Sequence, residues 1–144
     1  MKLLSAFLFL MFLSGCTTTA YYIEDSTLPV AETRKVITAI IGKPRVISLN
    51  GRELSSIYHN RKFEDLDEGK KIKARYYTKV VILGPRRPYE ISVQVSKEAL
   101  DLETMTFVDL GIDESLTQKR ALDIKRALNK SLDTYQAIDA EEIF

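Results

Sequence analysis

Apolar residues recur along the chain with a helical period near each end and an alternating period between. Val30, Thr33, Val36 or Ile37, and Ile40/Ile41 fall on one stripe at helical spacing. Ser26 or Thr27 followed by Pro29 predicts its start, because a side-chain oxygen can accept an orphan first-turn N–H. Gly42 and Pro44 predict its end. Val46 to Leu49, Asn50-Gly51 and Leu54 to Tyr58 read as a hairpin, since Asn-Gly suits a turn that needs positive φ. Arg75 to Leu83 is rich in β-formers. After the Gly84–Pro88 turn, Tyr89, Ile91, Val93 and Val95 alternate with polar residues, as in a half-buried antiparallel strand. Thr104 to Leu110 is a further, weaker strand. Ser115-Leu116-Thr117-Gln118 matches a capping box, and Ala121, Ile124, Leu128, Leu132 and Tyr135 then line one face of a helix over 116–135. Lys119, Arg120, Arg126 and Lys130 fall largely on other faces. These elements predict an α+β domain over 28–144. Its antiparallel sheet has four to five strands, with an N-terminal and a C-terminal helix packed on one face.

The first residues follow another pattern. Lys2 precedes an apolar run from Leu3 to Leu13, broken only by Ser5, and Ser14-Gly15-Cys16 follows. A charged start, an apolar middle and small residues are the layout of a secretory signal peptide. The run is about half the ~20 residues that a spanning helix needs. Leu13-Ser14-Gly15-Cys16 resembles the lipobox of bacterial lipoproteins, and the resemblance covers Met1 to Cys16 alone. It implies removal of residues 1–15, a diacylglycerol on the Cys16 sulfur and an acylated new amino terminus. Thr17, where an Asp commonly retains Gram-negative lipoproteins at the inner membrane, resembles the outer-membrane class. The expected location is therefore the outer membrane, lipid-anchored and facing the periplasm. Residues 16–27 then read as the lipidated Cys and a short tether, with Tyr21-Tyr22 in the membrane interface. Fully extended at ~3.5 Å per residue, Thr17 to Thr27 reaches no more than about 40 Å.

Charge narrows the classes. The chain has 21 Lys+Arg against 20 Asp+Glu. That balance lacks the basic footprint of a nucleic-acid binder. It also leaves attachment to the membrane to the lipid, since one acyl chain alone binds marginally and two or three bind stably. One His and one Cys cannot assemble a His/Cys metal site or an internal disulfide, so neither metal nor cofactor is expected.

Candidate chemistry is sparse. Lys70, Lys71, Lys73, Arg75 and Lys79, with Arg86 and Arg87 in the following turn, form the main basic concentration. Lys73, Arg75, Tyr77 and Lys79 would share one strand face, and with Arg86 and Arg87 they are the candidate contact for an anionic ligand or a partner. A solvated face that discourages edge pairing is the plainer alternative. Tyr76 and Tyr77 must point to opposite faces. His59, near Ser55 and Ser56, would need an orienting carboxylate to act as a base, and a polar strand-end role is expected instead. Asp65-Leu66-Asp67-Glu68-Gly69 opens like a calcium loop, but its twelfth position is Tyr76 and not Glu. Phe144 lacks the alternating strand of a barrel terminus, and acidic residues from Asp139 to Glu142 precede it. No phosphate loop or nucleophile elbow is present.

The expectation is a non-enzymatic, membrane-anchored lipoprotein, a structural or accessory subunit of a cell-envelope assembly with an envelope protein as partner. The alternative is a lipoprotein that binds an anionic lipid, glycolipid or cell-wall fragment beside the basic strand. A hydrolase centred on His59 ranks last.

Overall fold

The computed structural model describes residues 19–66 and 71–141. The leader, Cys16, Thr17, Asp67 to Lys70 and Phe144 lie outside the described residues. In chain order the elements are β1 (Tyr21–Ser26), α1 (Val30–Ile41), β2 (Val46–Ile47), β3 (Glu53–Ser55), β4 (Ala74–Leu83), β5 (Tyr89–Asp101), β6 (Thr106–Ile112) and α2 (Glu114–Glu141). The described strands make one antiparallel sheet, ordered β1-β5-β4-β3-β2, with β6 pairing β5 beyond the end of β1. The fold is α+β, with both helices packed against the sheet.

Alternation places the core. Val80 and Ile82 of β4 and Ile91 and Val93 of β5 turn to one face, where Ile37 and Ile41 of α1 and Ala121, Ile124 and Leu128 of α2 meet them. Each large apolar side chain so buried contributes roughly 1.5–3 kcal/mol. The helices run antiparallel: α1 ends near the residues where α2 begins, with the Arg120 Nη1 donating to the Ile40 carbonyl at 3.0 Å. Gly42 closes α1 at φ 78°, its N–H donating to the Thr38 carbonyl at 2.9 Å. Gly51, at φ 68°, turns the β2–β3 hairpin under Arg34, whose Nη1 would lie 2.8 Å from any added Cβ.

β5 carries two neighbours on one edge. Tyr21 pairs with Val93 and Ser26 with Tyr89, while Ser96 pairs with Ile112 and Asp101 with Thr106. Between them the α2 entry completes the ladder. The Asp113 N–H donates to the Val95 carbonyl at 2.8 Å, and the Val95 N–H donates to Thr117 Oγ1 at 2.9 Å.

Several expectations are corrected. Most of the expected tether is a strand: β1 adds to the β5 edge because Ile23 fits the buried face, raising the sheet to six strands. Tyr21 packs against the core and only Tyr22 is exposed. No side-chain bond from Ser26 or Thr27 caps α1. The α2 cap is Asp113, whose Oδ1 accepts from the Leu116 N–H at 3.0 Å, so the helix starts before the Ser115–Gln118 box. Arg120 is buried, not turned outward: with Leu116, Ile124 and Leu128 it forms one i, i+4 row.

Candidate functional site

The basic strand lies on the sheet face turned away from the helices. Pairing Tyr76 with Lys97 and Thr78 with Val95 sends Tyr76 and Thr78 inward, so Arg75, Tyr77 and Lys79 point outward. There they are already engaged. Arg75 Nε donates to Glu98 Oε2 at 2.5 Å across the β4–β5 ladder. Its guanidinium lies 3.7 Å from the Tyr58 ring centre and 3.8 Å from that of Phe107. Arg45 stands 4.5 Å over the same Tyr58 and 5.6 Å from Tyr77. Tyr58 and Tyr77 meet edge to face at 6.0 Å. Lys79 Nζ pairs with Glu53 at 2.8 Å. The result is a tiled face in which each cation sits against a carboxylate or an aromatic ring. Such contacts are worth about 0.5–1 kcal/mol each at exposed sites and more when desolvated.

Lys73, Arg86 and Arg87 are not part of that cluster. Lys73 is exposed just before β4, its carbonyl accepting from the Leu100 N–H at 2.9 Å. Arg86 and Arg87 stand exposed in the turn at the opposite end of β4, where Arg87 Nη1 donates to the Thr27 carbonyl at 3.4 Å. The strand thus spreads the candidate residues along its length and does not gather them around one concavity. The notable grooves run elsewhere. One of about 390 Å³ lies between the start of α1 and the end of α2, against Val36, Ala39, Ala127, Tyr135 and Ile138.

His59 sits on the helix-covered side. It is 3% exposed, so its expected place as a polar strand end is corrected to a buried one. Its backbone bridges to Asp65 and Tyr76. Nδ1 lies 2.8 Å from the Asn60 carbonyl and Nε2 lies 3.1 Å from Thr78 Oγ1. A carbonyl can only accept, so Nδ1 carries the proton and Nε2 accepts from the Thr78 hydroxyl. Burial holds the imidazole below its ordinary value, opposed by the Asn60 bond. The Ser56 hydroxyl is likewise committed, donating to the Ile57 carbonyl at 2.8 Å and accepting from the Thr78 N–H at 2.9 Å. Neither Ser55 nor Ser56 hydrogen-bonds His59.

Beside His59, a cavity of about 210 Å³ is lined by Ile41, Ile57, Phe63, Asp65 and Arg120. Arg120 lies 3.7 Å over Phe63, and burial holds its guanidinium below the usual range. Its Nε has no hydrogen-bond partner among the described residues. Reading by sequence missed Arg45, Tyr58, Phe63 and Phe107. Only Arg120 carried a signal, its place four residues before Ile124. Among the described residues no group of three or more His, Cys, Asp and Glu side chains is arranged to hold a metal ion. No described helix is long and apolar enough to cross a membrane.

Compared with protein-family models, curated proteins and solved structures, the chain matches none.

Proposed function

We propose that this chain is a non-enzymatic lipoprotein, anchored through acyl chains on Cys16 to the periplasmic face of the outer membrane. There it acts as a structural or accessory subunit of an envelope assembly. One observation carries the reading. The lipobox-like leader ends at Cys16 and β1 begins at Tyr21, leaving four residues between the acylated position and the folded domain. At full extension the step from Cys16 to Tyr21 spans no more than ~18 Å. A domain so close to its anchor works at the leaflet surface.

The far end of the molecule is then the end available to a partner. It holds the Arg86–Arg87 turn and the groove under Tyr135 and Ile138. The tiled face supports a scaffold role, because Arg75 and Lys79 are already paired within the chain.

The test is in-cell crosslinking of the full chain from photoreactive residues at Ile138 and Tyr77, with mass spectrometry of the captured species and of Cys16. Recovery of one envelope protein from Ile138 is expected, together with acyl chains on Cys16. A co-captured lipid or glycan at Tyr77 without any protein would replace the subunit reading by the ligand-binding one. An unmodified Cys16 would remove the anchor.

A further inference from the structure

The β5–β6 hairpin exposes more apolar surface than its fold requires. Leu102 is 77% exposed, Met105 68%, Leu110 58% and Val108 46%. Leu102 and Met105 flank the turn, while Val108 and Leu110 lie on the sheet side that the helices cover farther along β5.

The path of the chain relates this patch to the anchor. β1 is antiparallel to β5, so the residues upstream of Tyr21 leave in the direction in which β5 runs toward its hairpin. Thr19 and Ala20 confirm that exit, lining a groove with Glu114, Thr117 and Gln118 at the start of α2. From the Val93 register to Asp101, β5 advances about 27 Å at ~3.4 Å per residue. The leash from Tyr21 to Cys16 covers at most ~18 Å in the same direction. The hairpin therefore outreaches the anchor by at least about 9 Å when the strand stands upright on the leaflet. An apolar surface seated at an interface is buried by about 5–10 Å, a depth the hairpin reaches when the leash is almost fully extended.

We infer that the β5–β6 turn is a leaflet contact, with Leu102 and Met105 seated among the lipid headgroups and the sheet standing upright on the membrane. The inference rests on the acylation of Cys16 proposed above. The flanking chemistry sets the depth. Asp101 Oδ1 accepts from the Glu103 N–H at 2.8 Å, and that bond holds the Asp101 carboxyl below its usual range. Two carboxylates at the turn, Asp101 and Glu103, stop the tip at headgroup level, because a charge in hydrocarbon is costly. Lys73, whose carbonyl accepts from the Leu100 N–H, and Lys71 two residues before it are exposed and can keep their ammonium groups in the headgroup layer.

The test uses the full lipidated chain in phosphatidylcholine vesicles. A single cysteine at Met105 (Met105→Cys) or at Leu49 (Leu49→Cys) carries an environment-sensitive fluorophore. Leu49 is an equally apolar and fully exposed site at the opposite end, in the turn whose Arg52 bonds the Gly84 carbonyl. Both positions are exposed, so neither change threatens folding. The expected result is a blue-shifted label at position 105, quenched several-fold more than the label at 49 by nitroxide on the lipid headgroup. Equal quenching at both sites, or none at 105, overturns the inference while intact mass still shows acyl chains on Cys16. Shielding of 105 from aqueous iodide without nitroxide quenching assigns the hairpin to a second copy of the chain and overturns it also. Absence of acyl chains in the intact mass overturns both the anchor and the orientation that depends on it.

Discussion

The two halves of β5 share one strand and one alternation and have opposite fates. From Tyr89 to Val95 the strand lies between β1 and β4, and its inward residues Ile91, Val93 and Val95 are fully buried. From Ser96 to Asp101 it pairs with β4 and β6, and its inward residues Lys97 and Ala99 are only half-buried. Alternation alone does not make a core; a helix above the face does. The covered half stabilises the fold, and beside the uncovered half Val108 and Leu110 of β6 stay exposed and free for another surface.

The contrast can be broken most severely inside the core. Ile91→Ala removes a fully buried side chain from the core cluster that both helices join and should cost about 2–5 kcal/mol in urea unfolding. Val108→Ala, in the open half, should stay within about 0.5 kcal/mol of the parent. Equal losses would mean that the hairpin belongs to the same cooperative core.

The outer face should give an intermediate effect. Arg75→Ala leaves Glu98, 16% exposed, without its cation and uncovers Tyr58 and Phe107. A loss of roughly 1–3 kcal/mol is expected, with Arg75→Lys restoring only part, since an ammonium cannot lie flat between two rings. Full rescue by Lys would show that charge alone matters there. Removing the α2 cap by Asp113→Ala should cost about 1 kcal/mol, read as a shift of the same unfolding midpoint.

The smallest change sharpens the helix-covered side by pH. His59 is held below its ordinary 6.5 by burial, so the folded protein binds fewer protons than the unfolded chain once pH falls under that value. Stability is therefore unaffected above about 6.5 and declines below it until the folded imidazole also titrates. His59→Asn should flatten that decline in unfolding curves taken from neutral to mildly acidic pH. An unchanged slope would show that carboxylates alone govern it.

Local patterns made much of the fold readable. The α1 stripe and the β5 alternation report burial directly, and the hairpin at Asn50-Gly51 forms with a longer connection than expected, 48–52, in which Gly51 alone takes positive φ and Asn50 Oδ1 accepts from the Arg52 N–H at 3.1 Å. β1 was hidden because one buried residue, Ile23, in a six-residue strand is too little alternation to distinguish it from a tether. The basic residues of β4 were visible as a cluster in sequence. Their partners were not, since Glu98, Tyr58 and Phe107 come from separate segments that only sheet pairing brings together.

The amino-acid sequence by itself determined the periods of the elements, the α+β class and the lipobox-like leader, because helical spacing, alternation and an apolar run are properties of neighbouring residues. Tertiary structure alone decided how many residues separate Cys16 from the folded domain, that Arg120 and His59 are buried, and which stretch of β5 stays uncovered. Each of these depends on contacts between residues far apart in the chain, where the free energy of packing an edge or a face, not local preference, selects the partner.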